Sequence, residues 1–482
     1  MHEIFINRNG EVDVYDGTSD KSVAHLKIDH FNGTVYVYSV DTQGKHLVFN
    51  NANGDILLDV DFSKLPGAQL QDGLFPDKVA YIGLISSPYA SMTIQTPLVS
   101  ELPDGMYHPI QKTLRQLADA RGLTFSASSL NYSQLSNPSY YQSLTGMANQ
   151  YVIAGDLDPQ VVFAKLTPKD WEDILSNWDK VSNEIDHGNI PSDYSYDWHQ
   201  ADDVVYFAQQ NQMSIRAQHL IWGPDLPDIF YKGVFSTPEL EKLLEFMVKV
   251  RVLKYKGVIQ EWDGADEACA RSLYPGGKDG FWYTHFPIDI VDKVFIWTHE
   301  ADPAAKLVFM EDLNFGSREW PTYTRLSQCY LGQLKKFKNN KIPVDYAGLE
   351  MNSWIFDPPS EKIMIDFMNQ VKGLGYQFAS AEANAVLSPD KYPAWPGRPK
   401  TISKVDDPLT AQSQIYHDLL ETYLTVGSRA FGISGVDDGN EWYAWAGDPE
   451  AHSMIFDANF TPKPAYFALQ DLLTNFPAYS LP

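Results

Sequence analysis

From about Pro109 onward the chain repeats one texture: a short run of β-forming apolar residues, then an amphipathic segment with apolar residues three and four apart, then the next run. Strands are expected at Leu123–Ser128, Gln160–Leu166, Met213–Trp222, Gly257–Trp262, Lys306–Met310, Tyr346–Met351, Tyr376–Ala381 and Arg429–Gly435. Between them stand helical patterns such as PIQKTLRQLADARG, WHQADDVVYFAQQN, PELEKLLEFMVKVRVLKYK, RLSQCYLGQLKKFKNN, SEKIMIDFMNQVKGLG and AQSQIYHDLLETYLTVG, several closed by Gly or Asn where a helix ends. Strands separated by helices pair in parallel, and eight such units close naturally into a (β/α)8 TIM barrel. In that fold the loops after the strands gather at one rim, where chemistry is done.

The first hundred residues read differently. EVDVYD, GTVYVYSV, HLVFNN and DILLDVDF alternate apolar and polar residues, and Asn9-Gly10, Asn32-Gly33 and Asn53-Gly54 are hairpin signals. A small all-β, sandwich-like domain is expected over residues 1–105, with the barrel over 106–482. Its Tyr and Phe side chains suit stacking on sugar rings, as in a carbohydrate-binding module; a structural cap or spacer is the plainer reading.

Charge narrows the partners. With 62 acidic against 37 basic residues the formal net charge is −25, which repels nucleic acid and anionic membranes. The hydrophobic share of 44% is ample for a packed interior. No segment approaches a membrane span, and MHEIFINRNGEV lacks the basic and apolar stretches of an export signal. Location is left open between secreted, with an export segment removed, and cytoplasmic. The two cysteines, Cys269 and Cys329, spell no disulfide framework or zinc site, and Cys269 reads as a small core filler. No cofactor or metal is expected, and the protein is expected to be a monomer.

The stretch KGVIQEWDGADEAC crowds Glu261, Asp263, Asp266 and Glu267 around Trp262. With its apolar run as the fourth strand, Asp263, Asp266 and Glu267 project into the barrel mouth; a solvated acidic loop is the plain alternative. In YQFASAEANAV, Glu382 follows a small-residue strand whose alanines leave room for a ligand. Trp222, Glu350, Asn352, Asp438 and Trp442 also fall at strand ends, so aromatic plates and carboxylates share one rim. Aromatic faces stack on the C–H faces of sugars, and two carboxylates across a glycosidic bond are the minimum equipment for its hydrolysis.

These residues carry a resemblance. From about Pro109 to Pro482 the chain resembles the family-10 glycoside hydrolases, the retaining endo-β-1,4-xylanases, through FSASSLNYSQL, FAQQNQMSIRAQHLIWGPDLPDIF, KGVIQEWDGADEA, DGFWYTHFPIDIVDKVFIWTHEADPAAKLVFMEDLNF, AGLEMNS, FASAEANA, QIYHDLLETYL, SGVDDGNEW and FTPKPAYFAL in order. The resemblance implies that Glu267 is the acid/base, from Trp-Asp-Xaa-Xaa-Asn-Glu-Ala, and Glu382 the nucleophile, from Thr-Glu-Leu-Asp. It also implies substrate-contacting or scaffold positions for Trp222, for Asn314 at the end of Asn-Asp-Tyr-Asn, and for Asp438 with Trp442. A β-linked oligo- or polysaccharide, most simply xylan, is the implied substrate.

The departures cluster at the cleavage point. Arg-Gly-His-Thr-Leu-Val-Trp-His is here RAQHLIWG, so Gln218 and Gly223 replace histidines, and His219 is a candidate replacement contact as well as an ordinary packed histidine. Asp266 replaces the Asn before the acid/base, Glu350-Met351-Asn352 stands for Gln-Xaa-His, Asn384 for the Asp after the nucleophile, and Ser434 for a barrel-closing tryptophan. The family's Thr-Pro-Glu-Asn looks like Thr167-Pro168-Lys169-Asp170. Losing a donor that a buried hydroxyl needs costs about 1 to 3 kcal/mol, so the pocket is either rebuilt for another β-glycoside or weakened into a carbohydrate-binding protein. A metal-dependent hydrolase lacks His-Xaa-His or His-Glu-Xaa-Xaa-His spacing. Crowding among Asp266, Glu267, Glu350 and Glu382 should raise at least one pKa, Glu267 being the acid that needs it. Phe281, Trp282 and Tyr283 read as barrel packing, and Trp395 in YPAWPGRP as a lid or a rigid loop.

Overall fold

A computed structural model of the protein describes strands within residues 2–61 and residues 112–477 other than 130–131, 314, 317–320, 381 and 389–404. Asn314 and the Trp395 loop lie outside the described residues, as do the side chains of residues 1–111. The chain divides into two units, Met1–Gln111 and Lys112–Pro482. In the first, His2–Ile6, Glu11–Asp16 and Lys21–Lys27 form one antiparallel sheet, and Tyr36–Val40, His46–Asn50 and Ile56–Asp61 form another. Asn9-Gly10 and Asn53-Gly54 each fall between paired strands. Asn32-Gly33 lies outside the described residues, between Lys27 and Tyr36, which end and begin strands of different sheets.

The second unit is a closed parallel barrel. Its staves are β1 (Thr124–Ser129), β2 (Gln150–Ile153), β3 (Ser214–Ala217), β4 (Glu261–Ala265), β5 (Lys306–Asp312), β6 (Tyr346–Trp354), β7 (Glu382–Val386, with Gln377–Phe378 leading in) and β8 (Ala430–Ile433). Each pairs with its neighbours in parallel, β8 pairs with β1, and β5 with β6, leaving no free edge. The helices start where the sequence supplies caps. Thr113 and Gln116 form a capping box for Leu114–Arg121, which ends at Gly122 with φ +61°, and Ser236 and Glu239 do the same for Thr237–Lys254. Among the described residues no helix is long and apolar enough to cross a membrane.

Two expectations fail. The run Gln160–Leu166 is not a strand: Asp158 precedes Pro159 at the first position of a helical turn, Pro159–Val162, and the second stave is the four-residue strand Gln150–Ile153. Thr167-Pro168-Lys169-Asp170 accordingly opens the helix Pro168–Ser176, with Thr167 and Asp170 capping it. Asp263 does not reach the mouth. β4 runs on to Ala265, which places Asp263 inside the barrel, fully buried and gripped by Arg216 through Nε–Oδ1 at 3.0 Å and Nη2–Oδ2 at 2.8 Å. Arg216 also donates to the Ser380 hydroxyl at 2.9 Å, whose own proton goes to Gln150 Oε1 at 3.0 Å. A polar layer therefore closes the barrel floor, each charge on it paired.

Candidate active site

Glu267 is held from both sides. Before it, β4 lies in register with β5, Asp263 opposite Val308 and Ala265 opposite Phe309. At Glu267 itself the backbone turns into the left-handed region, φ +46°, a conformation that costs a non-glycine residue about 1 to 3 kcal/mol and concentrates at functional sites. After it the short helix Ala268–Leu273 is anchored by Glu311 of β5, which accepts from the N–H groups of Cys269 at 2.7 Å and Ala270 at 3.3 Å. Cys269 is also joined to Cys329 by a disulfide across 60 residues, tying this turn to the helix Pro321–Asn340. The reading of Cys269 as a mere core filler is thus corrected, since the bridge needs a spatial proximity no spacing shows.

The consecutive carboxylates Asp266 and Glu267 each have a cation. His219 Nε2 sits 2.9 Å from Asp266 Oδ2, and Arg271 Nε donates to Glu267 Oε2 at 2.7 Å. Both cations lie against one ring: Trp222 is 5.1 Å from the His219 ring centroid, and the Arg271 guanidinium carbon is 5.4 Å from the Trp222 centroid. Buried Arg251 holds the loop beneath by donating to the carbonyls of His219 at 2.8 Å and Leu220 at 2.7 Å. The Gln218–His219 peptide is cis. Gly223, at a lost histidine's place, has no room for any side chain, because a Cβ there would meet the carbonyl oxygens of Lys278 at 2.2 Å and Asp279 at 2.6 Å.

Across the rim, Gln218 donates through its side-chain amide to Glu382 Oε1, which is what replaces the histidine. Glu350 and Glu382 are register partners on β6 and β7, so their side chains leave the sheet on one face. Glu350 also reaches toward the other carboxylate, since one oxygen each of Glu267, Asp312 and Glu350 lie within 4.8 Å of one another. Asn352 donates to Glu350 Oε2 at 3.2 Å and accepts from Asn384 and from the Tyr443 hydroxyl, the latter at 3.3 Å. Asn384 Nδ2 donates to the hydroxyl of Ser434, the residue that stands where the resemblance has a tryptophan, at 3.3 Å.

The charges do not balance, and the titrations follow. Burial pushes the Glu267 carboxyl up to about 8 with help from Asp266 and Asp312, Arg271 working against it. Burial and Asp266 push Glu382 up to about 7 against His219 and the Gln218 amide. Glu350 stands well above the ordinary carboxylate range through burial and the charges of Asp266, Glu267 and Glu382. Burial opposes the ionisation of Asp266, but the charge and hydrogen bond of His219 outweigh it and hold Asp266 below its usual value. Burial opposes the charge of His219 in turn, but Asp266, with Asp158 and Glu382, outweighs it and raises the imidazole to about 10, so the pair is ionic at neutral pH.

Other expected residues lie elsewhere on the rim. Asp438 is buried and engaged: Lys463 Nζ sits 3.1 Å and 3.0 Å from its two oxygens, and Met454 N donates to Oδ1 at 2.9 Å. These contacts are those of a scaffold. Trp442 stands at the start of the turn Trp442–Trp445 with 59% of its surface exposed, a platform rather than a pocket wall. Phe281 and Trp282 are buried packing, as expected. The sequence reading missed Arg271, Asp312 and Glu311, and also Asp156 and Asp158, buried carboxylates at the end of the misplaced second strand. A basic residue four places after Glu267 was the available signal for Arg271. Glu267, Asp312 and Glu350 have a spacing a cation would fit, and on the helix Pro408–Thr425 so do His417, Asp418 and Glu421. Arg271 already supplies positive charge to the first group, and no metal ligand is assigned.

Comparison with known proteins bears on this geometry. The family model described as Glycosyl hydrolase family 10 matches residues 149–472. A "Beta-1,4-xylanase" of Dictyoglomus thermophilum is 29% identical over 285 residues, 58% of this chain and 76% of that one. "Endo-1,4-beta-xylanase B" of Thermotoga neapolitana is 26% identical over 292 residues, 59% and 76% of the two chains. Among solved structures, xylanase 10B from Thermotoga petrophila RKU-1 in complex with xylobiose superimposes with a TM-score of 0.59 at 22% identity, covering 77% of this chain and 99% of that one, a likeness of fold.

Proposed function

The chain belongs to glycosyl hydrolase family 10, and on that premise we propose that it cleaves β-1,4-linked xylan with retention, using Glu382 as nucleophile and Glu267 as acid and then base. In the first step a Glu382 oxygen bonds to the anomeric carbon as the glycosidic C–O bond breaks, and the Glu267 proton passes to the leaving oxygen. In the second, Glu267 takes a proton from water, the water oxygen bonds to the anomeric carbon, and Glu382 leaves as carboxylate.

One observation supports the assignment: Glu350 is the register partner of Glu382, and one of its oxygens lies within 4.8 Å of one each from Glu267 and Asp312, so the two proposed reacting groups share a neighbour. Gln218, His219, Trp222, Asp266, Asn314, Glu350, Asn352 and Trp442 are proposed as the sugar-contacting set, and Asp438 as scaffold. The relatives' names supply the substrate class.

The test is hydrolysis of xylan and short xylo-oligosaccharides with the first-formed anomer followed by proton NMR. A β-anomer first is expected; an α-anomer first, or polymer bound but uncut, sinks the proposal. A bell-shaped kcat/KM is expected to peak between about 7 and about 8, because below that range Glu382 takes up its proton and above it Glu267 loses its own.

A further inference from the structure

We propose that Arg271 is a positioning residue for the acid/base: its guanidinium grips one oxygen of Glu267 while Asp279 and the Trp222 ring hold the guanidinium in place. This rests on the reading of Glu267 as the acid and adds a residue to it. Arg271 Nε and Nη2 both reach Oε2 of Glu267, the first at 2.7 Å, so Oε1 is the oxygen that carries the transferred proton. The third nitrogen, Nη1, lies 3.2 Å from Asp279 Oδ2. The guanidinium carbon is 5.4 Å from the Trp222 centroid, and the side chain is 25% exposed, at the lip rather than in the floor.

A planar fork clamped on three sides fixes both direction and charge, which a flexible ammonium does not. Direction matters because the carboxyl sits on a left-handed backbone at the head of a helix only six residues long, Ala268–Leu273, so its side chain needs an external hold. Charge matters because the other described groups that act on Glu267 most strongly are acidic or neutral: Asp266 from the end of β4, Glu311 and Asp312 from β5, Glu350 from β6, and Tyr283 from the segment Phe281–His285. Arg271 is the cation set against them. Giving up the proton creates a carboxylate, which Arg271 stabilises, so it favours the acid step and keeps the proton from being held too tightly among its neighbours.

Arg271→Ala should move the basic limb of kcat/KM to higher pH by about one unit, since an adjacent opposite charge lowers a carboxyl pKa by one to three units. The acid limb, set by Glu382, should stay. At neutral pH turnover of xylan should fall about tenfold, with activated aryl xylosides affected less. Arg271→Lys should restore most of the limb position and only part of the rate, since it returns the charge without the fork. Asp279→Asn frees the guanidinium from its competing anion and should move the basic limb the opposite way, to lower pH. Melting temperatures of the three variants separate these effects from unfolding. If Arg271→Ala leaves the basic limb in place while Glu267→Gln abolishes it, the positioning role is wrong and the acid assignment stands. If Glu267→Gln leaves the limb as well, the acid assignment itself has failed.

Discussion

Two groups of buried carboxylates stand at the same rim of the barrel and differ in what answers them. After β8, Asp437 accepts from Gly439 N at 3.0 Å and Asn440 Nδ2 at 2.9 Å, Asp438 is paired with Lys463, and Glu441 accepts from Ser453 N at 3.1 Å. Asp266 and Glu267, just past β4, have one cation each, while Glu350, within β6, and Glu382, which opens β7 rather than following its strand as expected, have amides from Asn352 and Gln218. Burial is similar in the two places; partner supply is not. Burial raises carboxyls in both groups, Glu441 to about 7 and Asp437 to about 6 as it does Glu382 to about 7, so the displaced pKa is common to them. What differs is the oxygens: those after β8 are engaged and build structure, whereas Asp266 Oδ1 and Glu350 Oε1 are left to offer.

The largest expected effects separate the groups outright. Glu382→Gln should abolish turnover of every substrate, and Glu267→Gln should slow xylan by about 10²- to 10⁴-fold while sparing aryl xylosides with good leaving groups. Equal losses on both substrate types would remove Glu267 from its role. On the other side of the comparison, Lys463→Met leaves Asp438 buried without its cation and should cost about 3 to 5 kcal/mol in denaturant unfolding, with KM for xylo-oligosaccharides unchanged. A raised KM with intact stability would put Asp438 in the binding site and break the contrast.

Next in size is the disulfide. Opening the Cys269–Cys329 bridge, by reduction or as Cys329→Ser, should cost about 4 kcal/mol for a closed loop of 60 residues, read as a lower melting temperature. The smallest effect sharpens the contrast from within. Glu350 holds its proton more tightly in the folded chain than when unfolded, so the native state binds more protons and stability falls as pH rises from the ordinary carboxylate range through the folded pKa. Glu350→Gln removes that liability. It should raise stability by on the order of 1 kcal/mol at alkaline pH and by little in acid, where both forms are neutral. A loss of stability at high pH would mean that the cluster holds Glu350 ionised.

Much of this was legible beforehand because it is local. Alternation of strand and helix periodicity located seven of the eight staves, and the motif around Glu267 and the small-residue run before Glu382 marked both proposed reacting carboxylates. The missed stave shows where locality fails: QYVI is too short to announce itself, while QVVFAKL has the composition of a strand and is turned into helix by Pro159. Asp263 and Asp266 look alike in the sequence, three residues apart in one acidic run. Their fates differ because β4 continues past the first and stops before the second.

The sequence by itself determined the barrel, its order of elements and the places where reacting carboxylates can stand, since periodicity, caps and turns act over a few residues. Only the tertiary structure decided which carboxylate meets which partner. Gln218 and Glu382 are 164 residues apart, Asp438 and Lys463 are 25, and Cys269 and Cys329 are 60. Closure of the barrel brings such groups together, and a carboxylate's charge and proton are set by what lies within a few ångströms in space rather than along the chain.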